Sequence, residues 1–340
     1  MKMKFRSSLI VIAAILAALT ISCKKDDDPT YKVFTGSLNF TIPVYAKVGD
    51  TMILKPGLLY KEDGVSLTGI CWQVKEIEAA ADTTRLETDP QSISGSKTFI
   101  VPDTLGTFQV CCTGFADGYY PTTANQSFTS LKEGLNTGSI TDFDLYDDDI
   151  EYTDPRDGKT YLCAEIGPLV WMRLNLSYSG SGHPYGGSET LEKIFGRFYT
   201  WNEAVNACPE GWRLPDEKDW VSLAKEAGNP DCLEFNNFSG VAGATMANAR
   251  FNSEKMWEFW PKVTITNSTR FSAMPFGYAN IDDNGKYDFQ AIFQYGAFWS
   301  ADSWGVNGVY HYINPEINDI FAGNFPKDRV AMPVRCVRDK

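Results

Sequence analysis

The residues best suited to chemistry lie in the last third of the chain. Asp302, Trp304, Asn307, Tyr310 and Tyr312 follow one another closely, and Trp257, Phe259 and Trp260 form a second aromatic group in an irregular segment. A ring face set against the C–H face of a sugar, with Asp and Asn beside it for the hydroxyls, is the usual make-up of a glycan site. Trp257, Trp260, Asp302, Trp304, Asn307 and Tyr310 are therefore the candidate ligand-binding residues. Asn314-Pro315-Glu316, followed by Asn318 and Asp319, offers hard oxygen ligands in a Pro-containing loop. A calcium ion would use Asn314, Glu316 and Asp319, although no bound metal or other cofactor is expected. Asn280, Asp282, Asp283, Asn284 and Asp288 also gather, but Asp283-Asn284-Gly285 is first of all a turn sequence.

Catalytic patterns are missing from the sequence. It has no GxSxG elbow, P-loop, HExxH or dinucleotide fingerprint. His183 and His311 are its only histidines and it has no CxxC pair, so a zinc site of the usual Cys/His kind has little support. With 43 acidic residues, chance carboxylate pairs are guaranteed, and none assigns a hydrolase. The expectation is binding without turnover, not an enzyme.

The first residues give an address. Lys2, Lys4 and Arg6 precede an apolar run from Leu9 to Leu19, and Leu19-Thr20-Ile21-Ser22-Cys23 places a small residue before cysteine, as lipoprotein signal peptidase requires. That run is shorter than the roughly 20 apolar residues of a spanning helix. Residues 1–22 are read as a lipoprotein signal peptide, Cys23 as the lipidated residue and 23–31 as a tether. The acidic Asp26-Asp27-Asp28 after Cys23 resembles the export signal of Bacteroidetes surface lipoproteins. The resemblance implies an outer-membrane location, lipid-anchored and facing the exterior. Loss of Lys2, Lys4 and Arg6 would take the formal net charge from −12 to −15. Such a surface repels phosphate backbones, so nucleic acid is not an expected partner.

Residues 32–130 read as short β-branched and aromatic runs separated by turn residues, without helical period. This pattern predicts a β-sandwich, and the run Asp103 to Cys111 resembles the penultimate strand of immunoglobulin-like modules of bacterial surface proteins. With Cys23 lipidated, seven cysteines remain, an odd number. Only one of Cys111 and Cys112 can face a core, and Cys71 on an earlier strand is the expected disulfide partner of one of them. Residues 131–145 are Gly-, Asp- and Asn-rich and read as a linker.

From 146 to 340 the chain carries ordered motifs: 154–175 (DPRDGKTYLCAEIGPLVWMRLN), 196–220 (GRFYTWNEAVNACPEGWRLPDEKDW), 271–278 (FSAMPFGY), 298–300 (FWS) and 334–339 (VRCVRD). These resemble the Fibrobacter succinogenes major paralogous domain, which is similar to C-type-lectin-like folds. The resemblance implies an α+β lectin-like domain after the immunoglobulin-like sandwich, with a disulfide between Cys208 and Cys336. Arg213-Leu214-Pro215 and Asp219-Trp220 also resemble motifs of formylglycine-generating enzymes, but those need a reactive cysteine pair near the C-terminus, where this chain has Cys336 alone. The expected function is a non-catalytic surface lipoprotein that binds glycans or glycoproteins through its C-terminal domain. The alternative is a structural or adhesion subunit contacting protein partners.

Overall fold

The computed structural model describes residues 31–57, 65–77, 83–257 and 263–340. The signal-peptide, Cys23 and tether expectations, together with Phe259 and Trp260, lie outside the described residues.

Alternation of buried and outward residues builds the first unit. In the Thr107–Phe115 strand every second side chain is buried, Phe108, Val110 and Cys112 among them. This strand pairs antiparallel with Gly69–Ile77 on one side and Thr122–Leu131 on the other. Thr83–Glu87 adds to one edge, and Tyr45–Lys47 runs parallel at the other. The pair Thr51–Leu54 and Lys97–Ile100 contributes Met52, Leu54 and Phe99 to the same core, in which Phe40 meets Trp72 edge-on and Phe108 stacks on Phe128.

The cysteine expectation is corrected here. Cys71 and Cys111 are free thiols, as is Cys112. Their strands are immediate neighbours in one sheet, not opposite walls of a sandwich: Trp72 faces Cys112 on the buried side, while Cys71 lies opposite Thr113 and Cys111 opposite Gln73 on the other. Cys71 and Cys111 are thus diagonal neighbours, a separation at which strands do not bring cysteines into bonding geometry.

The stretch 131–145, expected as a linker, carries the buried Leu131, Ile140 and Phe143. Its Ile140–Thr141 bridge pairs with Arg250–Phe251.

The remaining residues correct the fold expectation. Of the described residues 41% are in strands and 10% are helical, so the C-terminal part is not an α+β lectin-like domain but a nearly all-β assembly of several sheets. Its longest described helix, Glu217–Glu226, has 10 residues. The sequence places Asp216 to cap a helix over 216–227; Asp216 accepts from the Lys218 and Asp219 amides, and the helix buries Trp220, Leu223 and Ala224 against the core. The sequence from Tyr199 to Ala207 reads as a helix that Pro209 stops, but only Trp201–Ala204 closes as one.

One sheet orders Val337–Asp339, Leu169–Met172, Thr160–Ile166 and Ile150–Thr153. A second runs through His183–Pro184, Arg197–Thr200, Val330–Pro333, Tyr278–Ile281 and Tyr287–Gln290. The third, Gly296–Trp304, Asn307–Ile313 and Ile320–Pro326, is the one that concerns function.

Two arginines and one disulfide pin these layers together. Cys208 and Cys336 are bonded, as the family resemblance implies. Arg335, fully buried, donates to Asn175 Oδ1 and to the carbonyls of Met172, Phe271 and Ser272. Arg173, also buried, pairs with Asp149 and donates to the Asp144 carbonyl and the Ser272 hydroxyl.

Candidate functional site

Strand parity divides the residues that the sequence groups together. Asn307 and Tyr310 are three apart on the Asn307–Ile313 strand, so they face opposite sides of the sheet. Trp304 is the direct cross-strand partner of Asn307 and shares its side. Val309, His311 and Ile313 bury themselves on that same side, below the Trp304 end. Tyr310 and Tyr312 stand on the other face, beside Trp299. The six candidate residues therefore do not form one site.

On the first side an aromatic platform meets solvent. Trp304 is 49% exposed and Phe235 37% exposed, their ring centroids 5.3 Å apart and tilted by 44°. Asn307 Nδ2 donates to Asn324 Oδ1 at 2.7 Å, leaving the second amide proton and the carbonyl oxygen of Asn307 available at the rim. Asp302 is a supporting residue: its Oδ2 accepts from the Glu217 amide at the start of the Glu217–Glu226 helix and from the Ser300 hydroxyl. A carboxylate there also opposes the positive end of the helix.

Phe235 was not legible in the sequence, and its geometry is the most constrained of the set. Its φ of 63° lies in the left-handed region, which a bulky side chain occupies at a cost. A buried carboxylate holds it there: the Phe235 amide donates to Glu217 Oε2 at 2.8 Å. The other oxygen, Oε1, receives a bond from His311 Nε2 at 2.8 Å. His311 is itself buried, tilted 4.8 Å from Trp220 and stacked 5.1 Å from Phe238, and its Nδ1 has no hydrogen-bond partner.

Burial alone would push the Glu217 carboxyl up, but the hydrogen bond and charge of His311, the Phe235 amide and Ser300 outweigh it and hold the group below the usual glutamate range. A depressed acid pKa contributes stability that is present above the unfolded value and lost as pH falls through the folded one. Exchange protection of the Phe235 amide should therefore decline below about pH 4, and Glu217→Gln should flatten that dependence while weakening protection at neutral pH. Protection unchanged down to about pH 3 would contradict the role given to Glu217.

Other expected residues take structural places. Trp257 is only 3% exposed, with Nε1 donating to the Ala273 carbonyl, because it packs in the main core with Phe271 and Phe298. It is not a surface contact. Asn314 Oδ1 accepts from the Glu316 and Ile317 amides, Asp319 accepts from the Gly240 amide and the Ser239 hydroxyl, and Asn318 bonds Gly243 and Gly240. These oxygens close loops, and among the described residues no group of three His, Cys, Asp or Glu side chains could hold a metal ion. Asp282 Oδ1 accepts from the Asn284 and Lys286 amides, forming the turn between Tyr278–Ile281 and Tyr287–Gln290 that the sequence predicts.

The molecule is thus of the class of mostly β proteins that present aromatic and amide side chains on a surface hairpin. Residues 164–338 match the Fibrobacter succinogenes major domain, and the chain belongs to that family. The membership fits a surface-type protein and assigns no activity. Comparison with curated protein sequences found no match.

Proposed function

We propose that the protein is a non-catalytic lipoprotein of the outer cell surface that binds glycans or glycoproteins through the Trp304–Phe235 platform. The observation that carries this reading is the fixed aromatic pair with the Asn307–Asn324 amides at its rim. Rings offer apolar faces to sugar C–H groups, and the amides offer both donors and acceptors to hydroxyls. Because Glu217 and His311 set the position of Phe235 before any ligand arrives, little ordering cost falls on binding. The anchor follows from Cys23 and the acidic residues after it, which also support the exterior orientation.

A glycan array of host and dietary polysaccharides tests the reading. The full-length protein is expected to bind a subset without product formation. Trp304→Ala is expected to weaken that binding by about tenfold or more, with Trp304→Phe in between. Array binding unchanged in Trp304→Ala removes the assignment.

One observation favours a second reading, a subunit that contacts protein partners. Leu233 and Val306, 67% and 80% exposed, lie two positions along the chain from Phe235 and Trp304. Aliphatic side chains beside exposed rings are also the composition of a protein-binding patch. In that case crosslinking would recover outer-membrane proteins and the array would stay blank.

A further inference from the structure

We infer that the opposite face of the same sheet holds a separate pocket for one neutral sugar ring, formed by Tyr278, Tyr295, Tyr310, Tyr312 and Phe325 over Ala297. The cleft measures about 210 Å³ and these six residues line it. It goes beyond the platform reading and rests on it only for the class of ligand.

Packing preforms the walls. Tyr310 stacks on Phe325 with centroids 5.0 Å apart and planes 8° from parallel, and Tyr312 stacks on Phe321 at 5.0 Å. Tyr278 continues the row beyond Phe325, and Tyr295 closes it edge-on against Tyr312. Gly323, the direct partner of Tyr310, leaves room for that ring: a Cβ there would come within 2.6 Å of it. Ala297, small and buried, forms the floor.

The lining selects the chemistry. No charged side chain lines the cleft, so an ionic ligand would shed water without gaining a counter-charge. A purely apolar ligand fits no better. The hydroxyls of Tyr278, Tyr295, Tyr310 and Tyr312 make no hydrogen bond to the described residues, and covering them with hydrocarbon would leave them unsatisfied. Burial, with the neighbouring tyrosines, pushes the Tyr310 phenol up to about 12, so it remains a neutral donor at physiological pH. A group with C–H faces and hydroxyl edges meets both demands, and the cleft has room for a single ring.

The test is titration of the full-length protein with methyl glucoside, methyl galactoside and methyl mannoside, read by saturation-transfer NMR and by shifts of the tyrosine ring signals. At least one glycoside is expected to bind. Tyr295→Ala, at a position 37% exposed, is expected to keep the fold and weaken binding by about tenfold or more, and Tyr295→Phe and Tyr312→Phe by several-fold each through loss of one hydroxyl. The pocket is overturned if no glycoside binds, if Tyr295→Ala binds as well as the parent, or if tetramethylammonium binds in place of every glycoside. Failure here leaves the array result of Trp304→Ala standing, and failure of that array leaves this titration standing.

Discussion

Arg335→Met is expected to destabilise the protein by at least about 3 kcal/mol, the largest single effect outside the disulfide. The guanidinium is fully buried, and its bonds go to Asn175 Oδ1 at 2.6 Å and to the carbonyls of Met172, Phe271 and Ser272 at 3.1, 2.8 and 3.0 Å. Phe271 and Phe298 lie within cation–π range, with ring centroids 5.1 and 5.5 Å away. Methionine fills similar volume but donates nothing, so four oxygens would be left unpaired in the interior. This differs from replacing a whole ion pair by hydrocarbon, which removes both partners and is often neutral. Arg335→Lys should lose less, because an ammonium can still serve some of the four acceptors. Urea unfolding read by tryptophan emission checks both variants; a midpoint for Arg335→Met equal to that of the parent would contradict the role assigned to this side chain.

The second large effect concerns the covalent link. Cys208 and Cys336 are separated by 128 positions, and closing a loop of that length is worth up to about 5 kcal/mol in the chain-entropy model. Cys208→Ser should lower the melting temperature under oxidising conditions and make it insensitive to reductant. The parent protein should fall toward the variant when a reductant is added. Equal melting of the two proteins without reductant would mean that the bond adds no stability.

What the sequence made legible was local chemistry, and what it hid was the pairing of distant strands. Asp216 and the apolar spacing of Trp220, Leu223 and Ala224 predict their helix because capping and one buried face are encoded within a few residues. The missing helical content is a matter of length: the segment from 228 to 277 has no sustained period, and its only described helix has 4 residues. Sequence alone does not say whether the strands of Cys71 and Cys111 face each other across a core or lie side by side, and they lie side by side. Trp257 looked like a surface ring because its flanks are irregular, yet irregular backbone can still carry a core side chain.

The platform shows the same division. Trp304 and Asn307 were visible as types, but the opposite facing of Tyr310 needed the strand register. Phe235 could not be found at all, since nothing in its neighbours announces a left-handed backbone held by a glutamate 18 positions earlier. A signal for the tyrosine cleft did exist: Tyr310-x-Tyr312 and Phe321-x-Gly323-x-Phe325 put aromatic residues on one face of adjacent strands. Tyr278, from another sheet, had no such signal.

The central claim is that the Trp304–Phe235 surface binds glycans, and affinity electrophoresis through polysaccharide-loaded gels addresses it most directly. The parent protein should be retarded by at least one neutral polysaccharide, and a Trp304→Ala, Phe235→Ala double variant with unchanged circular dichroism should migrate as in an empty gel. Retardation of the double variant equal to that of the parent, or free migration of the parent through every polysaccharide tried, would contradict it.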